Sequence, residues 1–426
     1  MGTARHGKKI IIIGAFFFIF GFISWINGTL IPYLKIACEL EEWQAYLVTF
    51  AFYISYTIMA MPSSLLLKRT GMVNGMSAGL IIMAVGCLAF VPAAMARSYS
   101  LFLLGLFIVG TGLTLLQTAV NPYITLLGPE STAARRISIM GVCNKVAGIL
   151  APLIMGSIIL KNSDGLLAEL HRLAPAARTI RLDELSRAVI LPYVCLTVIL
   201  LVVAVAIRYA HLPEINVTEA TANNTSPDKE LAVSPAVRRQ FIGGFLAIFA
   251  CVGAEVMAGD TIGNYGLYHG ISLDISKSLT SYTLAGMMIG YLTGIVVIPR
   301  YVSQQNAFYY STLAGLFFTL LILVLPGQYS IFSVALLGCA NALLWPAIWP
   351  QALKGLQGNL LNKGSAILIM GIAGGALLPL VYGWLAKVFN NQQAYWIFVP
   401  VYLYLIYYSL KGKKQALAYP SLSVTS

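Results

Sequence analysis

Two carboxylates, Glu255 and Asp260, stand in an apolar run from Phe241 to about Leu267, within the segment Cys251-Val-Gly-Ala-Glu-Val-Met-Ala-Gly-Asp-Thr-Ile-Gly-Asn264. They are the two acids of the chain that fall well inside such a run. A bare carboxylate in hydrocarbon costs several kcal/mol unless it faces a wet cavity or a partner, so acids held there mark a substrate or ion path or, more plainly, a salt bridge inside the bundle. Two chemistries suit them. A titratable acid exposed to each side in turn couples to protons. A carboxylate joined by hard oxygens, here side-chain amides and the Thr29 or Thr261 hydroxyl, suits sodium. Five residues of helix turn through about 500°, which leaves Glu255 and Asp260 roughly 140° apart, whereas Asp260 and Asn264 share a face. Both acids serve one site only if Gly253, Gly259, Gly263 and Gly266 let the helix unwind.

Other polar groups interrupt the apolar runs: Asn27, Gln117, Asn121, Asn144, Lys145 and Asn341, with Trp345 and Trp349 beside the last. Amides donate and accept in pairs that match vicinal hydroxyls, and an aromatic face covers the C–H side of a sugar ring, so the set suits a small polyhydroxylated ligand. A phosphate or carboxylate substrate would want buried arginine, and the apolar runs carry none. Each residue also has a plainer reading. Intramembrane amides bond neighbouring helices for about 1 kcal/mol each, and the tryptophans serve equally as packing. Lys145 lies about eight residues, roughly 12 Å, into its run; it either snorkels towards the expected cytoplasm or pairs with a carboxylate of the bundle.

The elements that position these groups follow from composition. The chain has 426 residues, 58% hydrophobic and 10% charged, which excludes an ordinary soluble protein. Twelve membrane spans are expected near 10–34, 44–67, 72–95, 101–127, 137–160, 188–208, 241–267, 279–299, 306–326, 330–353, 365–388 and 394–410. The basic residues cluster in alternate short loops, among them Lys68, Arg69, Arg135, Arg136, Arg238, Arg239, Arg300, Lys354 and Lys363, on the side of both termini. That side is the expected cytoplasm, and the distribution explains the net charge of +12 without nucleic acid. Segment 161–187 mixes acids and bases, which allows a surface helix, and reads by default as a solvated connector. Arg5, Lys8 and Lys9 precede a run with no small-residue cleavage site, so a retained first helix is expected. None of the six cysteines forms a C-x-x-C pair, and neither a disulfide framework nor a metal cluster is indicated. No nucleophile–base pair suggests an enzyme.

A polar stretch at 210–238, with Pro213, Pro227 and Pro235, divides residues 1–209 from 239–426, six spans each. Ala147-Gly-Ile-Leu-Ala-Pro152-Leu-Ile-Met-Gly156 in span 5 matches Gly374-Gly-Ala-Leu-Leu-Pro379-Leu-Val-Tyr-Gly383 in span 11, and Pro152 and Pro379 are 227 positions apart. Such punctuation at matching places indicates a duplicated transporter architecture. The same offset carries Gly28 onto Glu255.

The chain resembles the fucose–galactose–glucose:cation symporters of the major facilitator superfamily across nearly all its spans. The resemblance is carried by Asn27 to Pro32, Tyr53 to Pro62, Gln117-Thr-Ala-Val-Asn-Pro through Gly128-Pro-Glu130, Gly253-Ala-Glu255, and Gly364-Ser365 to Gly383. The superfamily loop between spans 2 and 3 is partly kept as Leu67-Lys68-Arg69-Thr-Gly71, with Lys68 where an acid is usual. The resemblance implies an all-α integral membrane protein of twelve helices in two pseudo-symmetric six-helix bundles. In the fucose type the functional acids of spans 1 and 4 stand where this chain has Gly28 and Gln117, so coupling through them is lost. Some relatives share the glutamate at 255.

The expected function is import of a neutral monosaccharide (a hexose such as glucose, galactose, mannose or fucose) by cation symport, sodium favoured over protons. The alternatives are an uncoupled sugar facilitator and a drug or lipid exporter of the same superfamily. Expected substrate-binding residues are Asn27, Gln117, Asn121, Asn144, Glu255, Asn341 and Trp345. Glu255, Asp260 and Thr261 are the expected cation-coupling residues, with Glu255 the sodium ligand. No cofactor beyond the co-transported ion is expected. The expected setting is a monomer in the lipid bilayer of a bacterial inner membrane.

Overall fold

The computed structural model describes residues 2–126, 133–160, 165–209, 234–298, 300–356 and 358–418. Its described regular elements are all helical. Eleven segments are long and apolar enough to cross a membrane, and the helix Phe398–Ala418 stands at the twelfth expected place. In hydrocarbon a spanning segment must satisfy its own backbone, and only a helix does so within one segment. The bulk of the 210–238 linker lies outside the described residues. Its last residues prove helical. Ser234 caps the helix Pro235–Asp260 by accepting from the Val237 amide at 3.3 Å, and Pro235 takes the first turn, where its missing N–H costs nothing.

Segment 161–187 takes, over its described residues, the helical one of its two expected forms rather than the default connector. It holds the helices Leu166–Arg172 and Pro175–Arg187. Pro175 at the first turn and the Arg181–Glu184 pair at 3.0 Å favour helix there, and Arg181 also ties to Glu169 at 3.2 Å.

Several spans are broken rather than continuous. Span 1 is Gly2–Trp25 followed by Asn27–Ala37. Span 7, its counterpart, is Pro235–Asp260 followed by Ile262–Tyr268. Span 10 breaks between Asn341 and Leu344, and span 11 between Met370 and Ala373. The helix of span 7 stays intact through Gly253 and Gly259, so the break comes after both acids, not between them.

Small residues let the helices approach closely. A Cβ on Gly79 of span 3 would lie 2.8 Å from the Gly112 carbonyl of span 4, and one on Gly112 would lie 2.5 Å from that of Gly79. The duplicated motif has a three-dimensional counterpart. Gly148 of span 5 receives Trp25 of span 1, and Gly375 of span 11 receives Val252 of span 7. Gly148 and Gly375 are 227 positions apart, as are Trp25 and Val252. Gly156 packs on Lys277 of the opposite half, and Gly383 on Tyr46 and Trp43 of the opposite half.

Side-chain bonds between the halves run from mid-membrane to the end opposite the termini. Thr57 donates to the Met370 carbonyl at 3.2 Å near the middle. Further out, Thr29 donates to the Lys277 carbonyl at 3.1 Å and Lys277 to that of Leu160 at 2.8 Å. At the rim, Glu42 accepts from Asn391 at 3.1 Å, and Lys387 meets Glu41 at 2.7 Å. The Lys387 ammonium, with the Trp43 indole, holds the Glu41 carboxyl below its ordinary range. The halves are thus sealed at that end.

Candidate functional site

Span 5 is helical from Ala133 to Ile159, which carries Lys145 to mid-membrane from one half; span 7 brings Glu255 from the other. Lys145 Nζ lies 2.8 Å from Glu255 Oε1, with the side chains 8% and 16% exposed. Of the two fates open to Lys145, the structure shows the pairing. Two charges at this depth compensate one another, whereas either alone would carry a large desolvation cost. The ammonium also lies 5.1 Å from the Trp25 ring centroid and 5.9 Å from that of Tyr291, within cation–π reach. Trp25 is itself fixed: a Cβ on Gly148 would come within 2.6 Å of its Cδ1, and one on Gly259 within 2.5 Å of its Cζ3.

Aromatic and amide groups adjoin this pair. Gln117 Nε2 donates to the Tyr56 hydroxyl at 3.0 Å. Tyr56 stacks on Tyr53 at a centroid separation of 6.1 Å. Tyr53 is buried, and a Cβ on Gly375 of the opposite half would lie 3.4 Å from its ring. Gln117 thus connects through two tyrosines to span 11 of the opposite half.

Asp260 is fully buried and accepts from Thr49 Oγ1 at 2.8 Å. One turn on, Asn264 lies 3.5 Å from the Tyr46 hydroxyl and from Glu42, which places the Asp260–Asn264 face against span 2. Because the helix is intact, Glu255 and Asp260 meet different partners. The Thr261 hydroxyl donates to the Met257 carbonyl at 2.7 Å and bonds the Tyr395 hydroxyl at 2.6 Å. Neither bond reaches Glu255.

The remaining expected ligands are dispersed. Asn144 donates to the Phe17 carbonyl at 3.3 Å, and its backbone lies against Gly21, so it ties span 5 to span 1. Asn341 accepts from the Tyr402 hydroxyl at 2.8 Å within its own half. Asn27 is fully buried, and neither amide atom has a hydrogen-bond partner among the described residues. Trp345 stacks on Trp349 with centroids 5.2 Å apart. The Asn121 side chain lies outside the described set. At Gly28, where the resemblance implies an aspartate in the fucose type, a Cβ would come within 2.1 Å of Thr280 Oγ1. The contact between spans 1 and 8 leaves no room for a larger side chain at that position.

Trp25, Tyr53, Tyr56 and Tyr291 belong to the site, although nothing in their spacing singled them out. Tyr53 and Tyr56 fall in one of the segments that carry the resemblance. Trp25 gives no such signal, because its two glycine neighbours are more than a hundred residues away in sequence.

The family model described as Major Facilitator Superfamily matches residues 13–371. The chain belongs to the major facilitator superfamily. It is 31% identical over 413 residues to a protein of Brucella abortus named glucose/galactose transporter, covering 96% of this chain and 95% of that one. It is 28% identical to the L-fucose-proton symporter of Escherichia coli, covering 89% and 87%. The crystal structure of FucP, a transporter of the superfamily in the outward conformation, superposes with a TM-score of 0.71 at 25% identity, covering 96% and 99%. These relatives are transporters rather than enzymes, and the chain is a multi-pass membrane protein of the superfamily, as its sequence led one to expect.

Proposed function

We propose that this superfamily member carries a neutral hexose across the membrane by alternating access, coupled to a cation. The observation that carries the reading is the Lys145–Glu255 pair at the junction of the halves, with the Gln117 amide joined through Tyr56 and Tyr53 to span 11 across the same junction. A junction of two rocking bundles is where alternating access places its site. Tyrosine faces and an amide suit a sugar ring. The names borne by the relatives support a sugar cargo. With both termini in the cytoplasm, the sealed end faces outward. The arrangement described is then inward-facing.

Sodium is the ion we propose at Glu255, because the fucose-type acids are replaced at Gly28 and Gln117. The proton is the second reading, favoured by the proton coupling in the name of the E. coli relative. The deciding experiment is uptake of labelled glucose and galactose into proteoliposomes with sodium and pH gradients imposed separately. Accumulation driven by sodium alone supports the first reading, and by a pH gradient alone the second. Flux that only equilibrates hexose marks a facilitator, and no hexose flux at all rejects the proposal.

Gln117→Ala should weaken hexose affinity about tenfold, the equivalent of one hydrogen bond, with folding intact. Unaltered affinity in equilibrium binding would remove Gln117 from the sugar site.

A further inference from the structure

We propose that Lys145 is a tethered counter-ion: it neutralises Glu255 while the empty carrier reorients, and it gives up the carboxylate when the travelling cation arrives. This rests on the reading of the chain as a cation-coupled sugar carrier. Lys145 belongs to one half and Glu255 to the other, and with the outer end sealed they meet at 2.8 Å. A carrier that returns empty must pass its central acid through a closed intermediate. Bare, that acid would stand uncompensated in a low-dielectric core, which is the costly case. The ammonium removes that cost without any ion from solution.

The aromatic neighbours give the lysine a place to go. Trp25, 5.1 Å from Nζ, sits on the same half as Lys145, whereas Tyr291 and Glu255 sit on the other. When the halves part, Lys145 keeps the π face of Trp25 and the carboxylate is bared to an incoming cation. Gly148 of the same half keeps its contact with Trp25 when Gly259 of the opposite half withdraws, so the resting place is preformed, and the four-carbon lysine stem is flexible enough to reach both. The cation and the ammonium then compete for one carboxylate. The loaded carrier reorients with the cation on Glu255, the empty one with Lys145 on it, and a bare Glu255 reorients in neither.

The test compares net hexose uptake with hexose–hexose exchange in proteoliposomes for the wild type, Lys145→Met, Glu255→Gln and the double variant. Exchange uses only the loaded carrier. Lys145→Met should lower net uptake about tenfold or more while exchange stays within about twofold, since removing one member of a buried pair strands the other. The double variant leaves no charge to strand. Its net flux should recover but follow the hexose gradient alone, indifferent to sodium or pH gradients. The proposal is overturned if Lys145→Met lowers uptake and exchange together, if it lowers neither, or if the double variant is no faster than Lys145→Met. Should Lys145→Met not fold, the double variant must still outpace Glu255→Gln, and equality of the two overturns the proposal. Absence of hexose flux in the wild type in both modes removes the underlying transport reading as well.

Discussion

Glu255→Gln is expected to abolish accumulation of hexose against its gradient while leaving the bundle folded. The substitution keeps the shape of the side chain and removes its charge. Two consequences follow. The coupling ion loses the carboxylate that would hold it, so an imposed gradient no longer drives uptake. Lys145 meanwhile remains in the membrane core beside a neutral amide, and stranding one member of a buried pair costs about 3–5 kcal/mol. If part of that cost falls on the reorienting state, transport slows by roughly a hundredfold or more. Trp25 and Tyr291 offset some of it, because an ammonium over an aromatic face recovers about 1–2 kcal/mol. Accumulation ratios in right-side-out vesicles check the prediction. A variant that still concentrates hexose as the wild type does would place coupling elsewhere, and Asp260, bonded to Thr49 across the halves, would be the next acid to test.

Gly383→Leu should hold the carrier open at the end opposite its termini, the outer end under the proposed orientation. A Cβ at this position would lie 2.4 Å from the Tyr46 ring and 3.0 Å from the Trp43 Cα, and the latter is backbone that does not turn aside. Tyr46 is itself boxed in by an edge-on contact with Tyr382 at 5.5 Å. The outer rim then cannot seal. Net transport should fall at least about tenfold, with hexose binding from the outside retained. Gly156→Ala provides a contrast at the matching place of the other half. Its nearest neighbour is the Lys277 stem at 3.2 Å, a flexible chain able to shift, so the effect should be mild. Binding and transport measured on the same preparations separate a wedge from misfolding. Loss of both in Gly383→Leu would indicate a packing failure.

The spans were legible because apolar run length and alternating loop charge act over short windows, and the repeat around Pro152 and Pro379 exposed the duplication. The breaks at Ile26 and Thr261 were not. A helix interruption within an apolar run is set by neighbours in space, such as Thr280 against Gly28. At the site, Glu255 was legible because a carboxylate in hydrocarbon is conspicuous by type alone. Its partner was named as one of two possibilities for Lys145, since 110 positions of chain separate them and no local pattern joins them. Asn144 shows another limit. Its amide suits a sugar by type, and the bond it donates to the Phe17 carbonyl of the neighbouring helix has no local signal in the sequence. Asp260 and Asn264 share a face, as helix period predicts, and that face persists across the break at Thr261 between them.

Moved by the 227-residue offset, Lys145 falls on Ile372 and Glu255 falls on Gly28. The two halves therefore share a packing framework but not its charges: a lysine and a glutamate at one pair of positions answer to an isoleucine and a glycine at the other. Under the proposed alternating access, tilting the bundles would break an electrostatic tie where Lys145 meets Glu255, with no charge at the offset positions to balance it. Resistance to the swing would then be weighted to the flank bearing Lys145 and Glu255.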